Sequence, residues 1–252
     1  LSIKFKFLNI MRLILITLFF VTFTGFSQIK TPAASTSSKL QQTVGLTDID
    51  IEYNRPSKKG RAIFGNLVPY GKKWRTGANS STKISFSTDV KISGSTIKSG
   101  TYSLFSIPNE NEWNVILYSD AELWSVPRDW DDNKIVFQSN FKVNKISAAN
   151  EIETFTISIN NITNNNADLI FAWDDTYVKV RIDVPTSQIV DASIQEVMGG
   201  TPKATDYYSA AVYYRQENIK LDVALKWINK AMEMTENPRF FQLRQQSLIL
   251  AA

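Results

Sequence analysis

The chain contains no cysteine and no histidine. Ser-His-Asp and Cys-His nucleophile systems therefore cannot be assembled from it. Zinc sites built on imidazole or thiolate fall away too, as does the iron site of two histidines and a carboxylate. Paired-carboxylate chemistry, Ser-Lys chemistry, an all-oxygen Ca²⁺ or Mg²⁺ site, and binding without catalysis stay open. With no disulfide available, stability has to come from core burial, for which 252 residues provide enough material.

Long apolar runs are scarce. One follows Arg12, from Leu13 to Phe23, and gives way to Gly25-Phe26-Ser27. A basic residue, a short apolar stretch and small residues behind it are the pattern of a signal peptide over residues 1–27, cut after Ser27, with Met11 as the expected initiator. The stretch is too short to span a bilayer, so no membrane span is expected after its removal. No cysteine follows the cut to carry a lipid anchor. The leader holds three of the 28 basic residues and none of the 24 acidic ones, so its loss lowers the net charge from +4 to +1. Only Lys58, Lys59, Arg61, Lys72, Lys73 and Arg75 approach a basic cluster, and no nucleic-acid partner is expected. The protein is expected to be exported, periplasmic or extracellular.

Residues 28–39 are rich in Ser, Thr and Ala and read as a flexible lead-in. Over residues 40–184 the pattern is one of short alternating segments. Ile49, Ile51 and Tyr53 alternate with acids; Ile84 and Phe86 alternate with polar residues. Gly100 to Pro108, Lys134 to Phe137, Glu153 to Asn160, Asp168 to Trp173 and Tyr177 to Asp183 behave similarly, whereas Trp113 to Tyr118 is apolar enough for burial on both faces. Asn160–Ala167 reads as a polar hairpin loop, and Asp174-Asp175-Thr176 as a tight turn. Many short strands without intervening helices predict an all-β sandwich or jelly roll. Tyr102, Phe105, Trp113, Phe155, Phe171 and Trp173 are its expected core aromatics.

Beyond residue 185 the period changes to that of helices. An amphipathic piece spans Thr186–Met198 and is closed by Gly199-Gly200. Tyr207, Ala211 and Tyr214 share one helical face, with Thr205 as N-cap. Leu221, Ala224, Leu225, Ile228, Ala231 and Met232 share another, and Asn237-Pro238 opens a third helix. Residues 185–252 are similar to a tetratricopeptide repeat, whose units need stacked neighbours. The apolar ending Leu248 to Ala252 suggests a truncated chain or a covering surface, and a protein partner is the expected use of the tail.

The densest concentration of candidate residues is the aperiodic run Arg55–Asn79, with four glycines, four lysines and three arginines. A loop of that length is functional or disordered, and its aromatics argue against disorder. Trp74 offers a stacking face, Arg75 a guanidinium fork and Asn79 a carboxamide, the groups a carbohydrate or carboxylate ligand needs; Tyr70 and Arg61 complete the set. Alternatively Arg75 stacks on Trp74, and Gly77 and Asn79 hold turn geometry that the loop requires. A second cluster comprises Trp124, Arg128, Asp129, Trp130, Asp131 and Asp132. Asp129, Asp131 and Asn133 alternate as in a calcium loop, but Lys134 and Asn140 stand where glycine and glutamate belong, so a solvated turn is expected and no metal. Glu52, Asp89, Glu112, Asp129 and Asp131 are candidates for paired-carboxylate glycan hydrolysis. Ser57-Lys58 lacks the helical spacing of Ser-x-x-Lys.

Tyr53 to Ser57, Gly60 to Gly71, Trp74 to Asn79 and Gly100 to Pro108, in that order, resemble the uncharacterised bacterial family called domain of unknown function 2911. The resemblance covers Leu40 to Asp183. It implies an exported protein, often with a helical repeat-like tail, and supplies no activity, cofactor or catalytic residue. Members often have Trp-Gly where this chain has Trp124-Ser125. The resulting expectation is an exported, non-enzymatic binding or assembly module without cofactor, binding carbohydrate through the Arg55–Asn79 loop. A paired-carboxylate hydrolase and a scaffold acting through the tail are the alternatives.

Overall fold

Residue 29 and residues 31–252 are described by a computed structural model; the signal peptide expected at residues 1–27 lies outside the described residues. The strands are β1 (Thr36–Val44), β2 (Thr47–Arg55), β3 (Thr82–Phe86), β4 (Val90–Ile92), β5 (Ser95–Ile97), β6 (Gly100–Pro108), β7 (Glu112–Tyr118), β8 (Ile135–Lys145), β9 (Ile152–Asn160), β10 (Asn166–Asp174) and β11 (Thr176–Asp183). Residues Ser37–Ala252 make one compact unit. The first strand begins at Thr36, so the last four residues of the expected lead-in belong to the sheet.

The sheet order is β1-β2-β3-β6-β7-β8-β11-β10-β9, with β4 against β11 and β5 against β4. Strand β8 joins the two halves. Its residues from Ile135 to Lys142 pair with β7, and Val143 to Lys145 pair with β11. At the other edge the chain beyond β2 reaches β9. Lys58 N–H donates to Glu153 O at 2.7 Å, and Phe155 N–H donates to Pro56 O at 2.9 Å. Arg55 adds its guanidinium to Phe155 O and Thr156 Oγ1, while Tyr53 Oη accepts from Ile157 N–H. The expected sandwich is thus drawn into an 11-stranded near-barrel, whose closure leaves few open strand edges.

Period-2 alternation places one side of each strand inside. Ile49, Ile51, Tyr53, Ile84, Phe86, Leu169, Phe171, Trp173, Val178, Val180 and Ile182 are buried together. Each large apolar side chain contributes roughly 2–3 kcal/mol by leaving water. The intervening residues of β2, Asp48, Asp50 and Glu52, face outward. Strand β7 is covered on both sides, as its composition predicts. Trp113, Val115 and Leu117 enter the main core; Ile116 and Tyr118 join Phe105 in a smaller cluster roofed by Leu123, Val126 and Trp130. Phe105 is core, as expected, but belongs to this smaller cluster: Tyr102 and Leu104 point into the main core, and odd parity turns Phe105 to the opposite face.

Four helices follow: α1 (Thr186–Met198), α2 (Ala204–Gln216), α3 (Leu221–Glu233) and α4 (Phe240–Leu250). Ala211, Tyr214, Ala224, Ile228 and Ile249 form their core, which matches the faces read from helical spacing. Two expected starts shift. Thr205 lies inside α2, where Asp206 accepts the Lys203 N–H at 2.8 Å; α4 begins after Arg239, whose N–H goes to Gln242 Oε1. The tail is fastened to the β-domain at the β9–β10 hairpin. Asn164 and Asn165 both donate to the Glu217 carboxylate at 2.6 Å, and Ser187 Oγ donates to Asn165 Oδ1. Gly45, in the β1–β2 turn at φ +56°, completes the joint. A Cβ there would lie 2.1 Å from Asn164 O and 1.9 Å from Thr186 Oγ1.

Candidate functional site

The Arg55–Asn79 loop divides into two layers according to polarity. Ile63, Val68, Phe64 and Trp74 enter the main core from above. The Trp74 ring stacks on Trp173 at 6.0 Å and meets Phe155 at 5.0 Å, Trp113 at 5.9 Å and Phe64 at 6.4 Å. Its backbone pairs with Ser106 in both directions, and Nε1 donates to Gly77 O at 3.0 Å. Trp74 is thus partly buried and packs against the main core through four aromatic rings.

The other expected site residues are dispersed. Arg61 turns back on its own loop, donating to Ser57 O and Lys58 O. Tyr70 is 37% exposed and shares a shallow depression with Asn109, Glu110, Asn111 and Glu112. Arg75 Nη1 donates to Asn79 O and to Trp124 O, and Asn79 Nδ2 donates to Asn54 Oδ1 at 3.3 Å. Gly77, at φ +157°, passes so close to β2 that a Cβ would lie 3.0 Å from Asn54 O. Arg75 and Asn79 are thus tied to the second cluster and to β2, rather than to Tyr70 and Arg61.

The loop is also pinned at its start. Lys58 Nζ bridges Asp174 and Glu151, and these two acceptors, Asp174 first, hold its ammonium well above the usual lysine range. Ser57 Oγ lies 3.0 Å from Thr154 Oγ1, so both members of the Ser57-Lys58 pair serve barrel closure.

The second cluster divides in the same manner. Trp130 packs on Tyr118 at 4.5 Å and on Phe105 at 5.3 Å, with Lys73 Nζ 4.7 Å above its ring. Asp131 accepts Asn133 N–H and caps a 3₁₀ turn, the structural role expected for this acidic stretch. Trp124 behaves differently: it is 71% exposed. The segment carrying it is nonetheless fixed. Leu123 O accepts both Ser81 N–H at 3.0 Å and Ser81 Oγ at 2.8 Å, and Trp124 O accepts Arg75. Ser125 keeps φ out of the left-handed region, so this turn does not require the glycine of the Trp-Gly pattern.

Trp124 forms a wall of a groove of about 460 Å³ on the outer face of the sheet. Ser37, Ser38 and Lys39 come from β1, Glu52 and Asn54 from β2, Ser80 and Lys83 from β3 and its approach, and Glu122 from the loop after β7. Across its floor the charges alternate. Lys39 pairs with Glu52 at 3.0 Å, Lys83 stands opposite Glu52 in the β2–β3 register, and Lys83 pairs with Glu122 at 2.7 Å. Asn54 Nδ2 donates to Ser80 Oγ at 3.2 Å. The volume lies in the range of ordinary ligand sites, ~300–1,000 Å³. Of these residues sequence reasoning singled out Glu52 and Trp124 as candidates but missed Lys39, Asn54, Ser80, Lys83 and Glu122. The available signal was the outward parity of Glu52 and Asn54; the cross-strand register that gathers the rest is not written locally.

No curated protein and no solved structure matches the chain. Residues 35–182 match the family described as protein of unknown function (DUF2911), and that span takes in all eleven strands but for the last residue of β11, the Arg55–Asn79 loop and the whole groove. The chain belongs to that family.

Proposed function

We propose that this protein is an exported saccharide-binding module whose ligand lies in the groove beside Trp124. The observation that carries the reading is an exposed indole, on a backbone held at Leu123 O and Trp124 O, above a floor of hydroxyl, amide and charged groups. A sugar ring has an apolar face of C–H groups and an equatorial belt of hydroxyls. The first stacks on an indole; the second is met by Asn54, Ser80, Ser37 and the lysines. Fixing the backbone at Leu123 and Trp124 in advance limits the ordering cost on binding. Arg75 and Asn79 keep their place as braces behind the groove. Export is supported by the leader pattern at residues 1–27, and fractionation of cells expressing residues 1–252 tests it.

Calorimetric titration of residues 28–252 with a panel of neutral and charged oligosaccharides tests the binding. Saturable heat that vanishes in Trp124→Ala, with an unchanged unfolding midpoint, supports the reading. Saturable binding that survives the substitution places the ligand elsewhere.

Glycan hydrolysis is a second reading, favoured by the presence of two carboxylates, Glu52 and Glu122, on one groove. Each is tied to a lysine, and their side chains are 55% and 82% exposed. The acid of a glycosidase instead sits in an apolar enclosure. Reducing-sugar release that disappears in Glu52→Gln would establish hydrolysis; none across the same panel argues for binding alone. A protein partner at the repeat-like tail is supported by the exposed Phe240, Leu243 and Leu250 on α4. Loss of a captured partner on deleting residues 204–252 tests that role.

A further inference from the structure

The two ion pairs in the groove are built differently. Lys39 and Glu52 are equally open, each 55% exposed and each on a strand. Lys83 and Glu122 are unequal. The lysine, fixed in β3, is 26% exposed, whereas the carboxylate is 82% exposed and projects from the irregular segment after β7. A pair with so exposed a member contributes little to stability, since solvent screens it and holding the long side chain costs entropy. Removing the carboxylate without replacement would take away the only acid, among the described residues, in contact with the Lys83 ammonium, whose side chain is 26% exposed. Lys83 thus requires a negative partner at that point, while Glu122 is only weakly required to supply it.

Resting on the saccharide reading of the groove, we infer that Glu122 stands in for a carboxylate of the ligand and that the ligand is a uronate-bearing saccharide. Its carboxylate displaces Glu122 from Lys83 while a ring of the same chain lies against Trp124. The neighbouring lysine is not equally open to exchange, because Lys39 is held by Glu52, whose strand position also faces Lys83. A neutral saccharide could stack on Trp124 and bond to Asn54 and Ser80, but it would leave the Lys83–Glu122 pair in place and gain nothing from it. A carboxylate brings its own charge and releases Glu122 to water, so charge is conserved at Lys83. Glu122 then acts as a competitor for the subsite, and only a ligand with an acid group gains by displacing it.

The test compares a tetramer of galacturonate with its fully methyl-esterified counterpart, in which the ring and hydroxyls are kept and the charge is removed. Affinities are measured by calorimetry on residues 28–252. The acid is expected to bind about tenfold tighter than the ester, as for one charge-assisted hydrogen bond. Glu122→Gln should tighten acid binding several-fold and leave the ester unchanged. Lys83→Met should abolish the difference between acid and ester, and Lys83→Arg should restore it, which a mere loss of folding would not do. If acid and ester bind alike in the wild type and in Glu122→Gln, yet both depend on Trp124, the uronate inference is overturned and the saccharide reading stands. If neither probe nor any neutral oligosaccharide binds, both fall together.

Discussion

Two long segments, residues 55–79 and 119–133, share tryptophan and a lack of helical or strand periodicity but are opposite in charge and in use. The first carries seven basic residues and no acid, the second five acids and only Arg128. The first drives Trp74 into the main core among Phe64, Trp113, Phe155 and Trp173. The second lays Trp130 over the outer cluster of Phe105 and Tyr118 but leaves Trp124 in solvent. An aromatic residue in a loop thus carries no intrinsic assignment to core or to ligand. The deciding factor is whether the sheet beneath offers an apolar cavity at that point. Above β6 and β9 such a cavity needs filling, whereas beside β2 and β3 the outward residues are charged.

The sharpest way to break this contrast is to truncate both tryptophans. Trp74→Ala is expected to cost ~3–5 kcal/mol in urea unfolding, the usual range for a large aromatic removed from a packed cluster. Trp124→Ala should stay within ~0.5 kcal/mol, as for an exposed side chain without a structural partner. Equal losses would mean that the two loops are not used differently.

Backbone substitutions sharpen the comparison at a smaller scale. Gly77→Ala in the first loop meets Asn54 O at 3.0 Å in a left-handed conformation and should cost ~1–3 kcal/mol, read by the same denaturation. Ser125→Gly in the second loop relieves no strain and should leave the midpoint nearly unchanged.

The ionic fastenings differ likewise. Lys58→Met should lower the unfolding midpoint by leaving Asp174 and Glu151 unpaired. Because folding raises the Lys58 pKa, its contribution is complete below the ordinary lysine value of 10.5 and is lost as pH climbs through the raised one. The gap between wild type and variant should therefore be constant from neutral pH to about pH 9 and shrink above 10.5; a gap that widens there would contradict the assignment. Lys73→Met, which removes only the cation above Trp130, should cost ~0.5–1 kcal/mol in the same measurement.

Particular residues show how far the sequence could be read. The alternation of Ile49, Ile51 and Tyr53, the Asp174-Asp175-Thr176 turn and the Thr186–Met198 helix were all legible because each is enforced within a few residues. Strands β4 and β5, three residues each, were not, since so short a pattern has no measurable period. That Phe105 is core was legible, but not which cluster it joins, because the segment that covers it lies elsewhere in the chain. In the candidate site, Trp124 and Glu52 were visible as residue types. Their meeting with Lys39, Lys83 and Glu122 depends on register between strands and on where the loop after β7 returns.

By itself the sequence determined that this is an all-β domain with a helical tail, that it folds without disulfides, and that its chemistry excludes imidazole and thiol. Those properties follow from composition and from periods of two and 3.6 residues, which act locally. Only the tertiary structure decided which tryptophan is core and which faces the groove, and which acid meets which lysine. Those outcomes depend on apolar volume and charge contributed by residues distant along the chain, and that information exists only once the strands are paired.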